Sequence, residues 1–182
     1  MANDISNQIH LEIVTPRGRA LSVVVDEVTA PSVRGEFGVM PGHLPLLAAL
    51  RTGIVSYKVN GELKQCAVGR PGFAEAGANK LLLLTDEYVE RDKIDPVIIR
   101  TRLAEVQGEL AKIESAKLDD ADIGGESRAE RMKLLVDEEN WLAVQLELYG
   151  DAPPATMRPY EEWGPPPPTP DDEIPADDEA AS

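Results

Sequence analysis

The first ninety residues hold short β-prone runs, the first of them alternating apolar and polar with a period of two, and then the period becomes helical. In "IHLEIVTP", Ile9, Leu11 and Ile13 fall on one face against His10 and Glu12 on the other, and Pro16 ends the run. The stretches "ALSVVVDEVTAP", "GIVSYKVNGELKQCAVG" and "KLLLLTDEYVE" continue as short β-prone runs broken by turns. Between "SYKV" and "ELKQCAV", Asn60-Gly61 predicts a tight hairpin, because both residues tolerate the positive φ of a type I′ turn. The pattern predicts roughly six to ten strands over residues 1–90, which close as two packed sheets or a barrel.

From Ile94 the spacing changes. Asp95 is placed as an N-cap and Pro96 at the first helical position, where its missing N–H costs nothing. Ile99, Leu103, Val106, Leu110 and Ile113 follow at alternating steps of four and three, which makes one apolar stripe. "DDADIGG" interrupts, with Gly124-Gly125 letting the chain reverse. A second helix is expected from near Glu126 or Ser127, with Met132, Leu135, Leu142 and Leu146 on one face. The two make an antiparallel hairpin over residues 91–150, packed on itself, on the β domain or on a partner. Beyond Gly150 the chain holds nine of its fifteen prolines, which predicts a disordered tail over residues 151–182. Its "PPPP" run lacks an adjacent arginine to orient it as an SH3-type ligand.

Composition narrows what such a protein can do. Aromatic residues make up 4% of the 182 positions, so the core is built of Val, Leu, Ile and Ala. The net charge of -15 argues against nucleic-acid binding, which needs a basic footprint. It divides as -2 over residues 1–90, -5 over 91–150 and -8 over 151–182, so the excess concentrates in the tail. One cysteine, Cys66, excludes an internal disulfide and fits a reducing compartment. No positive-plus-apolar leader opens the chain, and no run approaches the ~20 apolar residues of a membrane helix; docking onto a membrane complex stays open.

Candidate chemistry is sparse, and no cofactor or metal is expected. His10 lies on the expected solvent face of a strand, and neither it nor His43 has a Cys or His neighbour at zinc-ligand spacing. Cys66 sits in a strand-like run and reads as core. The glycine-rich "GEFGVMPG" lacks the lysine of a Walker A loop and carries Glu36 where phosphate would sit. An EF-hand register starting at Asp119 fails because Ala121 and Ile123 supply no side-chain oxygen. What remains for "GEFGVMPGHLPLLAAL" is a structural turn or an exposed contact loop, feeding a strand or short helix.

That stretch closely resembles the signature loop of the epsilon subunits of bacterial F-type ATP synthases. "LEIVTPRGRAL" is similar to that family's opening strand and turn, and "VDEVTAPSVRGEFG" to its approach to the loop. "RTGIVSY" resembles the following strand, and "VGRPGFAEAGANKLLLLTDEYV" the late hairpin, with Pro71-Gly72-Phe73 where the family has Gly-Gly-Phe. The resemblance covers Ile9 to about Leu148. It implies a ten-stranded β-sandwich, a helical hairpin acting as a regulatory arm, and a non-catalytic rotor subunit coupling c-ring to gamma subunit. Partners would be gamma, the cytoplasmic c-ring loops, and alpha and beta through the helices, on the cytoplasmic face of the bacterial inner membrane. An unrelated acidic adaptor is the alternative. Glu36, Gly38, Pro41, Gly42 and His43 would form the partner interface, with Glu36 meeting a basic residue of the c-ring loop. Some members bind ATP through a motif at the first helix. Here Ile98 and Ile99 replace its arginine and alanine, so the resemblance implies no ATP site. Family inhibitory helices are basic, whereas this one carries only Arg128, Arg131 and Lys133, which implies weak inhibition.

Overall fold

The period-two pattern turns directly into alternating burial. In a computed structural model describing residues 8–115 and 128–151, Ile9, Leu11 and Ile13 are fully buried while His10 is exposed. Ten strands form: β1 (Ile9–Thr15), β2 (Gly18–Val25), β3 (Glu27–Ser32), β4 (Gly35–Val39), β5 (Leu46–Ala49), β6 (Gly53–Val59), β7 (Glu62–Val68), β8 (Gly72–Gly77), β9 (Lys80–Thr85) and β10 (Tyr88–Glu90). "LPLLAAL" therefore supplies a strand. The first sheet runs β2-β1-β9-β8-β5 and the second β10-β7-β6-β3-β4. All pairings are antiparallel except β1 with β9. The hairpin at Asn60-Gly61 forms as predicted, with φ of 53° and 79°, and Asp26 accepts from the Gly61 N–H at 2.8 Å.

The inner faces meet in a core without phenylalanine or tryptophan among its fully buried side chains. Ile9, Leu11, Ile13, Leu81 and Leu83 from the first sheet face Val28, Val55 and Val68 from the second. Burying one such aliphatic side chain contributes about 1.5–3 kcal/mol, so a core of this kind needs many of them. Cys66 belongs to it, as its sequence setting suggested. Burial pushes its thiol up to about 12, which keeps it protonated and unreactive at neutral pH.

After a short 3-10 turn at Arg91–Lys93 come α1 (Pro96–Ser115) and α2 (Arg128–Tyr149). Asp95 caps α1 as predicted, accepting from Val97 N at 3.0 Å and from Ile98 N at 3.3 Å. The expected stripes meet: Leu103, Val106 and Leu110 pack on Leu135, Leu142 and Leu146, flanked by Ile99, Ile113 and Met132. Glu139 is buried in the same interface and accepts from Gln107 Nε2 at 3.1 Å. Ion pairs of Arg102 with Glu138 at 2.7 Å and Arg131 with Glu109 at 3.1 Å flank the seam.

A second face of α2 packs on the sandwich. Trp141, Val144 and Leu148, at helical steps of three and four, cover Ile54 and Ala67 on the outer side of the second sheet. The helix then stops on a Schellman cap, with Asp151 N donating to Leu146 O at 2.9 Å and Gly150 N to Glu147 O at 3.0 Å. Gly150 has a φ of 101°, which suits that left-handed position. Arg91 donates to Tyr149 O at 3.1 Å, and Arg100 pairs with Asp151, so the C-terminal end is tied to both neighbours. The second helix's expected start at Glu126 or Ser127, the reversal at Gly124-Gly125 and residues 152–182 lie outside the described residues.

Candidate functional site

The stretch from Gly35 to Leu50 is shaped by one turn at its start and another at its middle. At its start, Arg34 N donates to Ser32 Oγ at 3.2 Å and that hydroxyl donates to Gly35 O at 2.7 Å. This closes the β3–β4 hairpin. Phe37 and Val39 face the core, so Glu36 and Gly38 point to the outer side of an edge strand. Glu36 is exposed and has no ion-pair partner among the described residues. A Cβ on Gly38 would meet only Val28 O, at 4.0 Å and in ordinary contact, so sterics do not require glycine there.

Next comes a type II turn. His43 N donates to Met40 O at 3.1 Å, Pro41 sets the second position, and Gly42 at φ 78° fills the third, where a side chain would be strained. His43 is half-buried, and its Nδ1 donates to Leu44 O at 2.7 Å, because a carbonyl can only accept. The imidazole thus helps hold the turn. Sequence reasoning placed Glu36, Gly38, Pro41, Gly42 and His43 in one loop, and the structure divides them between a strand and a turn. Leu44, 79% exposed, and Leu47, 74% exposed, were not singled out although they stand at the surface of the same segment.

Strand β5 carries the loop into a broader apolar face on the outer side of the first sheet. The register lines up Val14, Leu84, Phe73 and Ala49 across four strands as one row. Phe73 is 55% exposed, and with Val14, Pro71 and Leu84 it walls a hollow of about 330 Å³. The adjoining row holds Glu12, Leu82, Glu75 and Leu47. There Glu12 is flanked by Lys80 at 3.2 Å and Arg19 at 3.5 Å, and the hydrogen bond from Lys80 holds its carboxyl below the usual range. Glu12 is thus neutralised by two bases, while Glu75 in the same row is exposed without an ion pair among the described residues, beside a row of hydrocarbon side chains. A single exposed Leu is ordinary, whereas apolar side chains aligned in one row form a continuous exposed patch.

Elsewhere the expected candidates take structural roles. His10 Nε2 lies 3.0 Å from Ser22 Oγ on the solvent side of the first sheet. Ile98 is 64% exposed at the start of α1, and Ile99 packs between the hairpin and the sandwich. Among the described residues there is no cluster of His, Cys, Asp or Glu with metal-site geometry. No helix of those residues is long and apolar enough to cross a membrane.

Residues 8–91 match the model of the ATP synthase delta/epsilon chain β-sandwich domain. An ATP synthase epsilon chain of Nitratidesulfovibrio vulgaris is 43% identical over 119 residues, covering 64% of this chain and 86% of that one. ATP synthase epsilon chain 2 of Syntrophotalea carbinolica is 34% identical over 112 residues, 62% of this chain and 80% of that one. A chain of the Euglena gracilis mitochondrial ATP synthase shares the fold at 23% identity with a TM-score of 0.55, covering 83% of this chain and 82% of that one. With relatives this similar over most of their own length, the chain belongs to the ATP synthase epsilon-chain family and is a central-stalk subunit of that complex.

Proposed function

We propose that the chain is a non-catalytic coupling subunit that stands on the c-ring through Gly35–His43 and holds the gamma subunit on the outer face of its first sheet. The observation that carries this reading is the continuity of the two surfaces. Strand β5 joins a rigid loop with an unpaired carboxylate to an aligned apolar row, so one small body offers a polar foot and an apolar flank. Polar contacts at the foot fix register, and apolar burial on the flank supplies affinity. Reversing the charge at Glu36 and introducing one at Phe73 separates the two roles. With the family shown, the reading as an unrelated adaptor loses its ground.

The division of labour along the chain follows. Residues 1–90 are the docking domain, residues 91–150 the helical arm and residues 151–182 an acidic tail. We infer a peripheral position on the cytoplasmic face of the bacterial inner membrane, with proton taken as the coupling ion from family frequency alone. Alpha and beta are within reach only through the helices.

As a brake on ATP hydrolysis the arm is weak. Of the basic side chains of α2, Arg131 is paired with Glu109 and Arg128 donates to Ile113 O at 2.6 Å, so both are engaged with α1. Releasing them to an acidic partner would forfeit these contacts. Removing residues 91–182 is therefore expected to change ATP hydrolysis by the assembled complex less than about twofold, since three basic side chains on α2, two of them engaged with α1, give an acidic partner little charge to meet. A large rise in turnover after truncation would contradict this.

A further inference from the structure

We propose that Asn79 is a positioning residue for the docking turn Met40–His43, an inference that rests on the reading of that turn as part of the c-ring contact. Asn79 lies in the two-residue turn between β8 and β9, far from the loop in sequence. Its side-chain Oδ1 accepts from Gly42 N at 2.7 Å, and its backbone oxygen accepts from His10 N at 2.8 Å. One residue thereby joins the docking turn, the start of β1 and the β8–β9 hairpin. The remaining hydrogen bonds of residues 40–44 among the described residues are local, within the turn or between adjacent residues. They set the shape of the turn without fixing where it stands.

The residue type fits both duties. Ala78 and Asn79 have φ of 48° and 57°, the left-handed pair that a type I′ hairpin needs. Asparagine tolerates that conformation, and here its amide reaches another segment. A second contact supports the same placement: a Cβ on Gly77 would lie 3.7 Å from Pro45 Cα, so the far end of the loop rests on the same hairpin. The loop is seated at Gly42 and at Pro45 on one turn. Asn79 acts on docking through Gly42 and makes no claim on the partner itself.

Asn79→Gly tests this cleanly, because glycine keeps the left-handed backbone and deletes the amide. In the full-length chain, hydrogen exchange at the Gly42 amide should accelerate about tenfold, as expected for loss of a single hydrogen bond. The Gly61 amide, held by Asp26, is the internal control and should not change. Asn79→Asp keeps the acceptor and should restore slow exchange at Gly42. In the assembled synthase, ATP-driven proton pumping should fall with Asn79→Gly and recover with Asn79→Asp. Unchanged exchange at Gly42, or equal acceleration at Gly42 and Gly61, would overturn the positioning role. Faster exchange at Gly42 alone, with pumping unaffected in both Asn79→Gly and Glu36→Lys, would leave the turn anchored and overturn the docking reading on which the role depends.

Discussion

Replacing Glu36 with lysine is expected to cut ATP-driven proton pumping about tenfold while leaving the melting temperature of the isolated chain unchanged. Stability is spared because Glu36 is exposed on the outer side of edge strand β4 and holds no ion pair among the described residues. Coupling is lost for a different reason. An exposed pair with a basic partner contributes only about 0.2–1 kcal/mol, so Glu36→Gln should lower pumping by a few-fold at most. Lysine goes further, setting like charges against each other at a contact whose geometry is fixed by the Ser32 turn and the Gly42 turn. Dye quenching in inverted membranes reads the outcome. Full pumping with Glu36→Lys would remove the carboxylate from the c-ring contact.

The second large effect lies on the other surface. Phe73→Glu is expected to weaken binding to the gamma subunit about a hundredfold or more, because it deletes an aromatic anchor and forces a carboxylate into an apolar contact. The side chain is 55% exposed, so the sandwich core of Leu81, Leu83 and Ala74 is untouched and the protein should fold normally. Phe73→Leu, which keeps the face apolar, should lose far less. Titration of gamma with each variant, beside a thermal melt, distinguishes a lost contact from a lost fold. Equal affinity for Phe73→Glu and the unaltered chain would mean that gamma binds elsewhere.

These two surfaces were unequally legible in the sequence. Period-two alternation located β1, because one of its faces is fully buried and the other is not; β9 showed only as a β-prone run, since its four consecutive leucines hide the alternating burial they adopt. The Asp95-Pro96 helix start was equally plain, since capping is a local matter of residue type and order. The two faces of α2 were harder. Leu135, Leu142 and Leu146 form the stripe that was read, while Trp141, Val144 and Leu148 form another at similar spacing that turns to the sandwich. Helical periodicity marks which positions are apolar and says nothing of which neighbour covers them.

The docking loop divides along the same line. Gly42 and Pro41 announce a turn from their own backbone preferences, and Glu36 stands out as a charge among glycines. Asn79 gave no such signal, because its role arises from a pairing across 37 residues that only the folded sheets create. The row of Val14, Leu84, Phe73 and Ala49 is likewise a product of strand order, drawn from four strands of which only β8 and β9 are consecutive in the chain. Family resemblance supplied the partners for these surfaces, and strand register supplied the surfaces themselves.

The proposed coupling role requires the chain to be held by gamma through the first sheet. Co-expression of the tagged full-length chain with the gamma subunit alone, followed by affinity capture and size-exclusion chromatography, tests this most directly. The expected result is a one-to-one complex that survives high salt, as an apolar contact should. Elution of the chain by itself, with gamma in the flow-through, would contradict a gamma-binding role for the first sheet.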